Sequence, residues 1–241
     1  MRISESFKLR YRAWKYRLHE DPAEIGYLLR SIRPGMTVFD VGAHKGGYTY
    51  WMARAVGRGG TVIAFEPQAA GAGLLKTIFG ANVRVEEVAL SDGEGTALFY
   101  IQPQRYSVSF EASVVNKYEN ASSVTVRTTT IDAYCRSHGL GPAFIKIDVE
   151  GFEMEVLAGG EQLLSSVKPV MLIEIEERHI GRSRMLEIFS FLESRGYAGT
   201  FFDGGTRRPL ADFDPAVHQD PRSLMSGKRR YCNNFVFEPR V

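Results

Sequence analysis

The stretch that decides the fold is Val38-Phe39-Asp40-Val41-Gly42-Ala43-His44-Lys45-Gly46-Gly47-Tyr48, and it is followed by Thr61-Val62-Ile63-Ala64-Phe65-Glu66-Pro67. Each run begins as a short apolar strand of the buried type and reaches a carboxylate. A glycine-rich turn follows the first carboxylate. This order of strand, acid, glycine turn, strand and acid is typical of a nucleoside site at the carboxyl edge of a doubly wound parallel sheet.

Asp40 indicates which nucleoside ligand the turn accepts. In a dinucleotide site, backbone N–H groups and a helix N-terminus approach an anionic pyrophosphate, which an Asp two residues before the first glycine would repel. A ligand with an adenosine, an ammonium and a sulfonium but no phosphate would be attracted, which describes S-adenosylmethionine. Glu66 is placed to accept hydrogen bonds from the ribose hydroxyls. The competing class, a nucleotide-binding oxidoreductase, would require a GxGxxG turn, which residues 42–47 lack.

The composition is that of one globular α/β domain. A chain of 241 residues with 44% hydrophobic composition can bury one sizeable core. The net charge of +2 is too nearly balanced to predict a nucleic-acid partner. No apolar stretch approaches the roughly 18 residues that span a bilayer, so we expect no transmembrane segment. Cys135 and Cys232 form neither a disulfide framework nor a CxxC metal site, so a cytoplasmic location fits best.

The first 18 residues are basic and aromatic. Apolar side chains recur in them at helical spacing, at Phe7, Tyr11, Trp14 and Leu18. A helix would place these four residues on one face. The favoured interpretation is a helix that caps the sheet or forms a homodimer contact. The alternatives are a contact with a membrane surface or with an acidic substrate.

Strands and helices alternate along the rest of the chain, which predicts βαβ units and a parallel sheet. The expected strands are 37–41, 62–66, 83–90, 144–148 and 170–176. The expected helices are 22–32, with Asp21 as its N-cap, 48–56, 69–79 and 152–166. Residues 96–130 break this pattern with two runs rich in β-branched and aromatic residues. We therefore expect a β-hairpin-like insertion after the third strand, with its tip at 104–120.

Two later strands also carry charged side chains at their ends. Side chains alternate along a strand, so Lys146 and Asp148 share one face, and Glu174 and Glu176 share a face of the next strand. Ligands bind at the carboxyl edge of a doubly wound sheet, where the strand order reverses. Asp40, Asp148 and Glu174 would then stand in a row along this crevice. The alternatives are an ion pair between Lys146 and Asp148, and a surface or helix-capping role for the two glutamates.

Several motifs of the chain resemble the FkbM family of S-adenosylmethionine-dependent methyltransferases. They are Asp40-Val41-Gly42-Ala43-His44-Lys45-Gly46-Gly47-Tyr48, Ala64-Phe65-Glu66-Pro67, Val88-Ala89-Leu90-Ser91-Asp92, Thr130-Ile131-Asp132-Ala133-Tyr134 and Lys146-Ile147-Asp148-Val149-Glu150-Gly151-Phe152-Glu153. The tail 231–239 is similar to the family's closing strand. The likeness covers residues 35–239 or so, which divides the chain into an N-terminal helical extension (1–34) and a class I methyltransferase domain (35–241).

The resemblance implies a Rossmann-like, seven-stranded methyltransferase sheet whose last strand is antiparallel. It also implies O-methylation of a hydroxyl, on a sugar or glycan or on a polyketide-type small molecule. The cofactor-binding residues that it implies are Asp40, Gly42, Ala43, His44, Gly46, Glu66, Leu90, Ser91 and Asp148. Among these, His44 departs from the family, which more often has Asn there, and a titratable imidazole beside the cofactor leaves its role open.

The chemistry requires a proton acceptor, because the methyl of a sulfonium is already electrophilic and the acceptor oxygen must be aligned and deprotonated. In one version, a carboxylate or His179 takes the proton. In the other, Asp148 and Glu174 bind a divalent cation such as Mg²⁺, which lowers the pKa of the hydroxyl. The metal-free version is favoured because no third oxygen ligand is obvious. The catalytic candidates are thus Asp148, Glu174 and His179; the alternative function is an inactive binding protein that keeps the fold.

We expect acceptor specificity to lie in residues 104–120 and 202–230. Tyr106, Phe110 and Tyr118 would either stack on a sugar face or pack the loop down. Arg207 and Arg208 would either pair with an acidic acceptor or, as the favoured interpretation, form a solvated basic surface.

Overall fold

The computed structural model describes residues 4–103, 110–113, 122–225 and 231–240. Its helices are α1 (Glu5–Lys15), α2 (Pro22–Ser31), α3 (Gly47–Val56), α4 (Ala69–Ile78), α5 (Ile131–His138), α6 (Glu153–Ala158), α7 (Glu161–Ser166), α8 (Glu177–Ser194), α9 (Pro215–His218) and α10 (Pro221–Met225). Its strands are β1 (Thr37–Val41), β2 (Thr61–Phe65), β3 (Val83–Glu86), β4 (Ala89–Leu90), β5 (Gly95–Pro103), β6 (Phe110–Ser113), β7 (Ser122–Thr129), β8 (Phe144–Ile147), β9 (Val170–Glu174), β10 (Tyr197–Asp203), β11 (Thr206–Pro209) and β12 (Asn234–Pro239). None of the described helices combines the length and the apolar character needed to cross a membrane.

The main sheet confirms the predicted doubly wound α/β fold. Its strand order is β11-β10-β12-β9-β8-β1-β2-β3. Strands β3, β2, β1, β8 and β9 are parallel, whereas β12 runs antiparallel to both of its neighbours. The sheet has one strand more than the expected seven. The extra strand, β11, folds back on β10 through Gly204 and Gly205, whose φ angles of 56° and 88° suit a tight hairpin turn.

The insertion forms a second sheet with the order β4-β7-β5-β6. Strands β5 and β7 pair antiparallel, as the predicted β-hairpin requires. The expected strand at 83–90, however, is divided. Its first part, β3, ends level with the end of β2, and its second part, β4, joins β7 in the other sheet. Of the predicted tip, residues 104–109 and 114–120 lie outside the described residues, as do Tyr106 and Tyr118.

Two of the predicted helices differ from the structure. The helix expected at 152–166 is divided into α6 and α7 at Gly159 and Gly160. A side chain at Gly159 would place its Cβ 2.0 Å from the carbonyl oxygen of Ser91, so this chain crossing admits only glycine. Asp21 occupies the N-cap position of α2 but does not cap it. Its carboxylate instead accepts a hydrogen bond of 3.0 Å from the Tyr48 hydroxyl.

The central strands direct their side chains into two layers of core. Phe39 packs in the layer formed with α5 to α8, whereas Val38 packs in the layer formed with α1, α2 and α3. Because side chains alternate along a strand, Asp40 lies on the same face as Val38 and points towards α3. Lys146, its register partner on β8, lies on that face too. Two charged side chains therefore meet under α3 at the carboxyl edge of the sheet.

Helix α1 packs on α3 through a different face from the one that its aromatic spacing suggests. Leu9 and Ala13 are buried, and the Trp51 indole donates a hydrogen bond of 2.8 Å to the Ala13 carbonyl. The predicted aromatic face remains exposed, with exposed fractions of 59% for Phe7, 67% for Tyr11, 45% for Trp14 and 55% for Leu18. The aromatic face therefore does not cap the sheet, and the opposite face, with Leu9 and Ala13, packs on α3 instead.

Candidate active site

The turn after β1 brings bare backbone to the carboxyl edge of the sheet. Gly42 and Gly46 adopt φ angles of 81° and 77°. A Cβ atom at Gly42 would lie 1.8 Å from the carbonyl oxygen of Asp148, so only glycine allows β1 and β8 to end side by side here. The N–H groups of Gly42 and Ala43 donate to the Phe65 carbonyl and tie the turn to β2.

An open cleft of about 760 Å³ lies over this turn. Its apolar walls suit a flat, uncharged ring, and they include Val41, Phe65, Val88, Leu90, Phe99 and Phe152. Its polar lining includes His44, Glu66, Gln68, Asp148 and Glu150. The cleft thus offers an apolar slot beside carboxylates, where the sequence predicts a nucleoside.

Glu66 stands at the end of β2 with only 3% of its surface exposed. One carboxylate oxygen accepts a hydrogen bond of 2.8 Å from the His44 N–H, and the other accepts one of 2.9 Å from the Gln68 N–H. Burial raises the pKa of Glu66 to about 7, although these backbone bonds act in the opposite direction. Each oxygen can accept a further bond, so Glu66 is fixed in place and able to receive two hydroxyl groups.

Asp40 is fully buried, and only one of its two carboxylate oxygens has a hydrogen-bond partner. Its Oδ2 accepts a hydrogen bond of 2.5 Å from the Thr49 hydroxyl, whereas its Oδ1 has no hydrogen-bond partner. Burial raises the pKa of Asp40, and the nearby Lys146 ammonium acts against that rise. A buried, unpartnered carboxylate oxygen is destabilising on its own, and a cationic ligand group would relieve it.

Lys146 and Asp148 form the ion pair that the sequence left as an alternative. The Lys146 ammonium lies 2.7 Å from Asp148 Oδ2 and 4.8 Å from the centre of the Tyr48 ring. Burial acts to lower the pKa of Lys146, but the charges of Asp148 and Asp40 outweigh it and raise that pKa. Lys146 is therefore an ammonium that neutralises two carboxylates at the sheet edge.

This ammonium bears on the metal hypothesis for Asp148 and Glu174. Among the described residues, no group of three or more His, Cys, Asp or Glu side chains is arranged to hold a metal ion. A divalent cation beside Asp148 would lie close to the Lys146 ammonium and be repelled by it. These two carboxylates thus do not fit a hard cation.

Glu174 and Glu176 are brought together by Asn233. Its side-chain amide donates 2.8 Å to Glu174 and 3.0 Å to Glu176. Burial, and then the charge of Asp148, raises the pKa of Glu174 well above its ordinary value. Although burial acts to raise it, hydrogen bonds from Arg178 hold the pKa of Glu176 below its ordinary value. The two neighbouring carboxyl groups thus have pKa values shifted in opposite directions.

His179 lies in the first turn of α8, where the sequence places it beside the crevice. Its Nδ1 is 3.3 Å from Glu150 Oε2, and its Nε2 is 3.9 Å from Glu176 Oε2. Glu150 lines the cleft and has a φ of 56°, an unusual backbone conformation for a residue with a side chain. Such strain is often held at functional sites.

His44 lines the cleft as a neutral imidazole. Burial, and then the charge of Lys45, lowers the pKa of His44 to about 4. Its φ of 48° lies in the left-handed region, which Asn and His tolerate better than most residues. The departure from Asn at this position therefore preserves the backbone of the turn.

The remaining predicted cofactor residues take different places. Leu90 lines the cleft, whereas Ser91 lies beside it, with its hydroxyl donating to Asp92. Ala43 lines an adjoining cavity. Gly46 is the N-cap residue of α3, and its lack of a side chain makes room for the Phe79 ring, 2.7 Å from where a Cβ would stand.

Sequence reasoning missed Thr49, Arg12 and Tyr16. Thr49 orients Asp40 from one turn inside α3, and no motif marks it. Arg12 and Tyr16 line the adjoining cavity from the N-terminal segment. The basic, aromatic composition of that segment was visible, but nothing in it indicates which residues turn towards the sheet.

Comparison with known proteins identifies the family. The pattern of the methyltransferase FkbM domain matches residues 40–198. A crystal structure of methyltransferase FkbM from Methylobacillus flagellatus KT is similar, with a TM-score of 0.53 and 16% identity over 98% of this chain. The chain spans only 56% of that protein's length. An O-methyltransferase from Bacillus cereus, solved in complex with SAH, has a TM-score of 0.52 and 14% identity, covering 100% of this chain and 92% of its own.

No curated protein is significantly similar to the chain in sequence. At these identities, the two solved structures show the shared fold alone. The domain match is evidence for the family itself, because it spans more than half of the chain and includes Asp40, Glu66 and Asp148. On that match, the protein belongs to the FkbM family of methyltransferases.

Proposed function

We propose that the protein is an S-adenosylmethionine-dependent O-methyltransferase that acts on a hydroxyl of a sugar, a glycan or a polyketide-type small molecule. The observation that carries the proposal is Asp40, whose buried Oδ1 lacks a partner beside a glycine turn and an apolar cleft. Asp40 and Glu66 would repel a pyrophosphate but attract an ammonium and receive ribose hydroxyls. The residues present therefore fit this cofactor.

The cofactor would be held at both of its ends. Glu66 would receive the ribose hydroxyls, and Phe65, Leu90 and Phe99 would flank the adenine. Asp40 would accept a hydrogen bond from the ammonium. When bound, S-adenosylmethionine supplies an electrophilic methyl group. The chain must then hold the acceptor hydroxyl and take its proton.

We assign the proton acceptor to His179. With its Nδ1–H donated to Glu150, the ring carries its lone pair on Nε2, which would take the hydroxyl proton. The imidazolium that forms would be stabilised by Glu150 on one side and Glu176 on the other. Asp148, held by Lys146, would accept a hydrogen bond from the acceptor hydroxyl and orient it. Glu174 is bonded to the Asn233 amide that also bonds Glu176, so it would position these two side chains rather than act as the base.

Methyl transfer from radiolabelled S-adenosylmethionine to a panel of sugar and polyketide hydroxyls tests this function. Loss of a general base typically slows the reaction by about 10²- to 10⁴-fold. We expect His179→Gln to lower kcat by that much while it keeps the affinity for S-adenosylhomocysteine, and Asp148→Asn to lower kcat as well. Asp212→Asn, an exposed acid, is the matched control. We expect full activity in a chelator.

The outcomes separate the alternatives. Transfer that survives His179→Gln would remove the base assigned here. Binding of S-adenosylhomocysteine without transfer to any acceptor would favour the binding protein. Calorimetric binding of NAD in place of S-adenosylhomocysteine would favour an oxidoreductase.

A further inference from the structure

A second cavity adjoins the cofactor cleft and is closed on one side by the N-terminal segment. It is open to solvent, has a volume of about 310 Å³ and shares Gly42, His44 and Asp148 with the cleft. Arg12 and Tyr16 also line it, and both precede residue 40, where the match to the FkbM domain begins. Because the two cavities meet at the turn after β1, a ligand with its nucleoside in the cleft can extend its other end into the second cavity.

Opposite charges lie on different walls of this cavity. On the β1 side is Asp40, with its unpartnered Oδ1. Arg12 lines it from α1, and Lys45 lines it from the turn after β1. Lys146 also lines the cavity, but its ammonium is paired with Asp148. This arrangement is complementary to an α-amino acid whose ammonium faces the sheet and whose carboxylate faces the helix.

Arg12 is held over the turn with donors to spare. Its Nη1 donates a hydrogen bond of 2.9 Å to the Lys45 carbonyl, and a guanidinium has five N–H donors. Burial lowers the pKa of Arg12 and that of Lys45, and the charge of Arg12 lowers the pKa of Lys45 further. Two partly buried cations in such proximity are stabilised by an anion placed beside them.

The position of Arg12 is set by the packing of the segment that carries it. The bond from Trp51 to the Ala13 carbonyl fixes α1 on α3. One turn later, the Tyr16 ring lies over Gly47, where a Cβ atom would be only 2.6 Å from the ring. These contacts hold Arg12 at the mouth of the cavity.

We propose that Arg12 and Lys45 bind the α-carboxylate at the amino-acid end of the cofactor, while Asp40 Oδ1 accepts a hydrogen bond from its ammonium. The inference rests on the cofactor named under the proposed function and adds Arg12, which lies outside the domain match. It makes helix α1 a part of the cofactor site.

Two ligands that differ only in the amino-acid end test this assignment. S-adenosylhomocysteine carries the carboxylate, and 5′-methylthioadenosine lacks it. In calorimetric titrations, we expect Arg12→Met to weaken binding of S-adenosylhomocysteine by about 10- to 100-fold, as loss of a charge-assisted bond does. Binding of 5′-methylthioadenosine should stay within about twofold, a difference worth less than 0.5 kcal/mol. Arg12→Lys should retain part of the affinity, and Arg10→Met, on the exposed side of the same helix, should retain all of it.

If Arg12→Met lost affinity equally for the two ligands, or for neither, the role of Arg12 would be overturned. The assignment of the cofactor would not be affected. If the parent protein bound neither ligand, the assignment of the cofactor would be overturned, and the role of Arg12 with it. Equal melting temperatures of the Arg12→Met and Arg10→Met variants, followed by circular dichroism, show that α1 is still folded.

Discussion

Glu66 is the residue whose protonation most directly links the cofactor site to pH. Burial raises its pKa to about 7 from an ordinary value of 4.5. The native state therefore holds this proton at a pH where the unfolded chain has released it. The stabilisation is complete below about 4.5 and is lost as the pH rises through about 7, by linkage. The loss is on the order of 3 kcal/mol.

Urea unfolding of the parent and of Glu66→Gln between pH 4 and 8 measures this loss. We expect the parent to lose stability relative to the variant as the pH rises, because the glutamine amide of the variant does not titrate. Saturating S-adenosylhomocysteine should flatten the difference, since ribose hydroxyls would stabilise the ionised carboxylate. Parallel curves for the two proteins would show that Glu66 titrates normally.

Lys146 is the residue on which the buried carboxylates depend. It lies in register with Asp40 and pairs with Asp148. Lys146→Met keeps the length of the side chain and removes the charge, which leaves these carboxylates without their cation. Loss of one partner of a buried ion pair costs about 3 to 5 kcal/mol. We expect a loss of this size in the free energy of unfolding at pH 7.

The double variant Lys146→Met/Asp148→Asn is the control for this charge effect. It should recover part of the lost stability, because one uncompensated carboxylate is gone. The free energy of unfolding of the Lys146→Met variant should also rise when the pH is lowered from 7, because its carboxylates become protonated. A double variant less stable than the single one would mean that Lys146 acts through packing on Tyr48 and not through charge.

At the scale of elements, the turn after β1 depends on a close approach as much as on its backbone angles. Gly42 and Gly57 both have positive φ, 81° and 64°, but only Gly42 faces another chain segment. Gly57→Ala should cost about 1 to 3 kcal/mol, because its φ of 64° and ψ of −161° lie in a region that is essentially restricted to glycine. Gly42→Ala must also move β8, so we expect a larger loss of stability and no binding of S-adenosylhomocysteine.

Thermal melts and calorimetry on the two alanine variants make the comparison. The Gly57→Ala protein should bind S-adenosylhomocysteine like the parent. The close approach of Asp148 would not shape the site if the Gly42→Ala protein bound S-adenosylhomocysteine as well as the Gly57→Ala protein and had the same melting temperature.

The elements show why a local pattern predicts some boundaries and not others. The strand at 37–41 was predicted to the residue, because a buried parallel strand carries its own apolar signal. The strand at 83–90 divides for a reason that lies elsewhere in the chain, since β7 offers a second sheet to residues 89–90. The helix at 152–166 divides at Gly159 because Ser91, far away in sequence, crosses there.

The same distinction holds for the site at the scale of the whole molecule. Asp40, Glu66 and Asp148 follow from sequence because strand ends meet at one edge of a parallel sheet. Thr49 and Arg12 do not, because their roles depend on how α3 and α1 are docked. Glu174 was expected in a row with Asp40 and Asp148, and these three residues lie on, or directly after, the neighbouring strands β9, β1 and β8. The sequence did not predict its bond to Asn233, from a segment next to the closing strand.

The exposed face of α1 carries the last prediction, a homodimer. Three large apolar side chains of α1 are exposed here, Phe7, Tyr11 and Trp14, and Leu18 is exposed in the π-helical turn that follows. Burying them against a second copy would be favourable at about 25 cal/mol for each Å² removed from water. Helices that meet around a two-fold axis would also bring Lys8 and Arg10 near their copies. Salt screens this repulsion, so the dimer should tighten as the ionic strength rises.

Light scattering coupled to size-exclusion chromatography, over a range of protein concentrations and at low and high salt, tests the dimer. We expect twice the chain mass at high concentration and the chain mass for Tyr11→Glu and Leu18→Glu, because a buried carboxylate on this face would have no partner. Leu186→Glu, at a residue with 51% exposure on α8, controls for the loss of any exposed apolar side chain and should remain dimeric. A parent protein that is monomeric throughout would reject the dimer. One that dissociates with added salt would place charged groups, not this apolar face, at the contact.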